Sequence, residues 1–165
     1  MTIRAACAAA LLLTACSAGP GTESAEPGST ATVEVLAGGI RWDIPPAACL
    51  AATDHDAIAT AANDAAEELQ DLVADRATGW PTTTRALPGE EAGFYAAINR
   101  AGPVALALAV LAGTVDAVVA GWDEFEAGYA SLPDSPGPVR VISDRMAGWM
   151  TTANDIAAAV PGVCG

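Results

Sequence analysis

The chain contains no lysine: its seven basic residues are all arginine, set against twenty acidic ones. Lysine Schiff bases and lysine general bases are therefore excluded. Histidine is nearly absent too, with His55 alone, so Ser-His-Asp and Cys-His catalysis have no other base to draw on. A formal charge of −13 argues against nucleic acid as a partner, because phosphates require a basic footprint. The same charge opposes adhesion to anionic lipid headgroups. Long apolar runs are also missing. The longest uncharged stretch in the main part of the chain covers residues 101 to 115 and ends at Asp116. It falls short of the roughly 20 residues a spanning helix needs.

What is present begins at the N-terminus. Met1 to Arg4 forms a short cationic start, Ala5 to Leu13 is an apolar run, and Leu13-Thr14-Ala15-Cys16 follows. That order of charge, apolar run and small residues before cysteine resembles the signal and lipobox of bacterial lipoproteins. The resemblance covers the first 16 residues only. It implies a signal peptide over 1–15, cleavage before Cys16, and lipid on the Cys16 sulfur and amino end. Acyl chains contribute roughly 0.8 kcal/mol per buried CH₂, so such an anchor holds without a transmembrane helix. The implied location is extracytoplasmic, lipid-anchored to the cell membrane.

That location sorts the four cysteines. Cys7 leaves with the signal, Cys16 takes lipid, and Cys49 and Cys164 remain as a pair in an oxidising compartment, where a disulfide is expected. Residues 16–31 are rich in Gly, Pro, Ser, Thr and Glu after the cysteine and read as a disordered tether. The remainder, 32–165, is one domain's length.

Within it, Val33 to Ala37 and Ile40 to Ile44 alternate around Gly38-Gly39, predicting a two-residue hairpin. Val33 then faces Ile44, Val35 faces Trp42 and Ala37 faces Ile40 on one apolar side, with Glu34 opposite Asp43 on the wet side. A helix is expected over about 54–77, capped by Thr53 or Asp54, with a seam of Ile58, Ala62, Ala65, Leu69 and Leu72. A shorter helix from Glu90 to about Ala101 buries Phe94 and Ile98, and Gly102-Pro103 separates it from a third. The third carries Val104, Leu108, Leu111, Val115, Val118, Trp122, Phe125 and Tyr129, and the last Val139, Ile142, Met146, Trp149, Ala153, Ile156 and Val160. Steps of four and three give the 3.5-residue period of left-handed helix packing. Bridging Cys49 to Cys164 requires the start of the first helix and the end of the last to meet, which suits an even number of helices. The expected fold class is all-α: a four-helix up-and-down bundle with a small N-terminal β-hairpin. Asp116, counted from the bundle's end on a continuous third helix, falls level with Arg145 and is expected to pair with it.

No motif carries chemistry. Asp54-His55-Asp56 reads as an acidic first helical turn complementing the helix dipole rather than a metal site. Asp64, Glu67, Glu68, Asp71 and Asp75 form a solvated outer face at repulsive spacing, not an acid–base pair in a cleft. No enzyme activity, cofactor or metal is expected. Trp80, Arg85 and Tyr129, rimmed by Arg76 and Arg140, form the candidate contact surface at the end opposite the cysteine pair, while Trp122 mainly packs. The expected function is a non-enzymatic binding or accessory module for another envelope protein. The alternative is a carrier of an apolar small molecule or lipid, against which the Ala62, Ala65 and Ala153 seams leave little room.

Overall fold

Two glycines with positive φ set the first element. Gly38 (+58°) and Gly39 (+75°) supply the left-handed pair that a tight hairpin turn needs. In the computed structural model, which describes residues 32–79, 88–130 and 137–165, they join β1 (Val33–Ala37) to β2 (Ile40–Ile44). The antiparallel register is Val33↔Ile44, Glu34↔Asp43, Val35↔Trp42, Leu36↔Arg41 and Ala37↔Ile40, as the alternation predicts. Val35, Ala37, Trp42 and Ile44 are buried, whereas Ile40, next to the turn, stays 51% exposed. The like-charge Glu34–Asp43 pairing is relieved by Arg41, which lies diagonally across and bonds Glu34 at 2.6 Å. Both side chains are exposed, so this ion pair contributes little to stability.

A 3₁₀ turn, Pro46–Leu50, carries Cys49 to the start of α1 (His55–Gly79). Asp54 caps α1 through its carboxylate, which accepts from the Ala57 N–H at 2.9 Å. The buried stripe is Ile58, Ala62, Ala66, Leu69 and Val73. It drifts from the expected Ala65 and Leu72 because a straight helix turns every 3.6 residues, not 3.5.

Among the described residues the helix count is four, but the division in the middle is not where Gly102-Pro103 places it. α2 runs unbroken from Pro88 to Ala112 with Pro103 inside it, and α3 spans Val115–Ala130. The break falls at Gly113, whose φ is +70°. There the Thr114 N–H reaches the Ala109 carbonyl (2.9 Å) and the Gly113 N–H the Val110 carbonyl (3.2 Å), the two bonds of a Schellman cap. Thr114 then starts α3, its carbonyl accepting from Val118. A proline inside a helix costs about 3 kcal/mol. Here burial outweighs it: Gly102, Pro103 and every residue from Ala105 to Ala109 are buried.

α2 is the central element, packed most extensively against α1 and α4 (Gly137–Ala159), with α3 touching all three more lightly. Residues Ala92–Ala112 are long and apolar enough, by length and composition, to cross a membrane, and half of the most apolar window is buried inside the fold. Asn99 meets Arg145 and Trp149, and Gly102 meets Trp149, so α2 and α4 run in the same direction. In a square up-and-down bundle those two helices would be diagonal; here they form one of the two main interfaces. β1 lies on α4 and β2 on α2, closing the apolar face of the hairpin over that pair. A short 3₁₀ segment, Val160–Gly162, ends the last helix beside Cys164.

Candidate functional site

Cys49 and Cys164 are joined, their Cα atoms 5.3 Å apart and 115 residues apart in sequence. This ties the entry of α1 to the exit of α4. Cys16 lies outside the described residues.

Of the five side chains expected to form a contact surface, Trp80 and Arg85 and the side chain of Arg140 lie outside the described residues. Arg76 is half-buried near the end of α1. Tyr129 is half-buried and stands at one end of a ladder on α3: its ring centroid is 4.9 Å from Phe125, which meets Trp122 edge-on at 5.6 Å. Steps of three and four along α3 place these rings in a row. Trp122 is only 4% exposed, so it packs, as its heptad position indicates.

The ladder walls a cavity of about 150 Å³ between α3 and α4. Val119, Trp122 and Phe125 line it from α3, and Ile142 and Met146 from α4. Asp123 and Glu126 add two carboxylates to the same lining, one exposed and one half-buried. A second, more open cavity of about 200 Å³ lies beside the hairpin, lined by Trp42, Asp43, Arg100 and Val104. There the Arg100 guanidinium sits 5.4 Å from the Trp42 ring centre and donates to the Arg41 carbonyl at 2.6 Å.

The expected Asp116–Arg145 pair does not form. Because α3 begins at Val115, Asp116 occupies its exposed first turn, where it complements the helix dipole instead. Arg145 turns to α2: its guanidinium lies 5.1 Å from the Tyr95 ring centre and donates to Asn99 Oδ1 at 2.6 Å. The Trp149 indole N–H donates to the same oxygen at 3.2 Å. This four-residue cluster was not anticipated from the sequence. Its signal was the i,i+4 spacing of Tyr95 with Asn99 and of Arg145 with Trp149 on two facing helices.

His55 is exposed in the first turn of α1. Among the described residues no group of three or more His, Cys, Asp or Glu side chains converges to hold a metal ion. Compared with protein-family models, curated proteins and solved structures, the chain finds no match.

Proposed function

We propose that the protein is an envelope lipoprotein, anchored outside the cytoplasm through Cys16, whose helical domain is a non-enzymatic binding or accessory module for another envelope protein. The observation that carries this reading is the Cys49–Cys164 bond. Once Cys7 and Cys16 are assigned to a signal and an anchor, the two cysteines left over are the two that pair. Such bonds persist in oxidising compartments, where the lipobox would send the chain.

A module rather than an enzyme is favoured by the side chains at hand. With lysine absent, His55 is the main candidate base, and it stands on an exposed helix start whose neighbour Asp54 is engaged as a cap. A protein partner is favoured over an apolar cargo by volume. The two cavities among the described residues hold about 150 and 200 Å³, below the roughly 300–1,000 Å³ of sites that enclose a small molecule.

The test is metabolic labelling with an alkyne-bearing palmitate in a bacterial host. Label should enter the wild-type chain and not Cys16→Ser, which should leave the membrane fraction. Crosslinking in the intact envelope should then retrieve one protein at fixed stoichiometry. A stoichiometric lipid besides the anchor would favour the carrier instead.

A further inference from the structure

Two stretches of this acidic chain, Ile44 to Thr53 and Ile156 to Gly165, carry no charged side chain. The first contains the 3₁₀ turn Pro46–Leu50 and the second the turn Val160–Gly162, and the Cys49–Cys164 bond joins them. Leu50 and Val163, each one residue from a bonded cysteine, are 44% and 43% exposed, and Pro46 and Pro161 of the same two turns are exposed as well. The other large apolar side chains that reach solvent among the described residues have charged neighbours. Leu36 pairs across the hairpin with Arg41, Ile40 precedes Arg41, and Leu72 follows Asp71. Leu50 and Val163 have none beside them in sequence. The chain also enters the domain here: Val33 starts β1 paired with Ile44, and Pro45 alone separates Ile44 from the first 3₁₀ turn.

We propose that this uncharged, disulfide-bonded end of the domain rests on the bilayer that holds the Cys16 anchor, with Leu50 and Val163 entering its interfacial layer. The inference rests on the lipoprotein reading and fixes which way the anchored domain faces. Residues 17–31, as a flexible tether, span on the order of 20 Å and lead directly to this end. The anchor thus keeps the patch at high effective concentration beside the membrane. A contact too weak to recruit a free protein then suffices to orient a tethered one. Charge selects the face. The outer side of α1, with Asp64, Glu67, Glu68 and Asp71 exposed, would be held off by anionic headgroups, whereas the disulfide end offers carbon. Exposed Asp54 and Asp56 at the start of α1 border it. Asp116 does so too, because α2 runs parallel to α4 and brings the start of α3 to the same end. These carboxylates make zwitterionic lipid the preferred surface and anionic lipid a poorer one. Seated so, the domain holds Tyr129, at the far end of α3, away from the bilayer, where an envelope protein has access to it.

The experiment reconstitutes the full lipidated chain in phosphatidylcholine vesicles with a photocrosslinking side chain at one exposed position at a time. Leu50→p-benzoylphenylalanine and Val163→p-benzoylphenylalanine are compared with the same change at Leu36 and Leu72, after a gel shift shows the disulfide intact. Adducts to lipid acyl chains, counted by mass spectrometry, should be at least about fivefold more abundant at 50 and 163 than at 36 and 72. Mixing phosphatidylglycerol into the vesicles should lower those yields, and added salt should restore them. With the crosslinker moved to exposed Ala52, Leu50→Glu combined with Val163→Glu should also reduce lipid adducts. Equal yields at all four positions overturn the proposal while the lipoprotein reading stands. Chain-to-chain adducts at 50 or 163 overturn it in favour of a second copy. In the intact envelope, adducts to a protein in place of lipid overturn it in favour of that partner. A wild-type chain that takes no lipid at Cys16 removes the lipoprotein reading itself, and the proposal with it.

Discussion

The Trp149 indole lies flat against Gly102, so close that a Cβ on residue 102 would come within 2.6 Å of Cζ3 and 2.7 Å of Cδ2. The glycine is a docking notch in α2 rather than the helix terminator that the Gly-Pro pair suggests. Alanine there gains up to about 1 kcal/mol of helix propensity but overpacks the α2–α4 contact by roughly 1–3 kcal/mol. Gly102→Ala should therefore lower stability in urea unfolding. Combining it with Trp149→Leu should cost less than the sum of the two single changes. Strict additivity would place the indole elsewhere.

Asn99 holds the same interface from the polar side. Its Oδ1 accepts from both Arg145 and Trp149, so Asn99→Ala leaves two donors without their acceptor. A loss of about 1–3 kcal/mol is expected. The Trp149 indole N–H resonance should shift as its hydrogen bond is lost, while that of Trp42, bonded to the Ala37 carbonyl, should not.

The disulfide closes most of the domain. For a separation of 115 residues, the chain-entropy model gives about 4–5 kcal/mol of stabilisation. Replacing both cysteines by serine should lower the unfolding midpoint accordingly. Adding reductant should reproduce the effect in the wild type and leave the double variant unchanged.

Gly113 tests where α2 ends. At φ +70° an L side chain is strained by roughly 1–2 kcal/mol, and nothing crowds the position otherwise. Gly113→Ala should destabilise by about that amount, whereas Gly113→Asn should recover part of it, since asparagine tolerates the left-handed conformation. If alanine were neutral, the break between α2 and α3 would lie elsewhere.

The hairpin was legible residue by residue because both of its determinants are local. Two adjacent glycines set the turn, and a period of two fixes which side chains share a face. The last helix was nearly as clear, with Ile142, Trp149, Ala153 and Ile156 buried along it and Val160 buried in the 3₁₀ segment that follows. The middle of the chain was not. Gly102-Pro103 is a strong local stop signal and Gly113-Thr114 a weaker one, yet the weaker one breaks the helix. The sequence does not show that Gly102 sits under the Trp149 indole or that Pro103 is fully buried, where packing offsets the missing backbone bond. Misplacing that break also moved Asp116 from an exposed helix start to mid-helix, and produced the ion pair with Arg145 that does not form.

The sequence by itself determined the elements that depend on neighbours along the chain: four helices, one hairpin with its register, the Asp54 cap, and two cysteines for one bond. The tertiary structure decided what depends on elements far apart in sequence. It made α2 the central helix, set it parallel to α4 through Asn99, Gly102, Arg145 and Trp149, and opened the acidic, aromatic cavity between α3 and α4. The physical reason is that periodicity tells which face of a helix is apolar, but not which of several apolar faces it meets. That choice falls to shape: a glycine notch that fits one indole, and an asparagine oxygen that satisfies two donors at once.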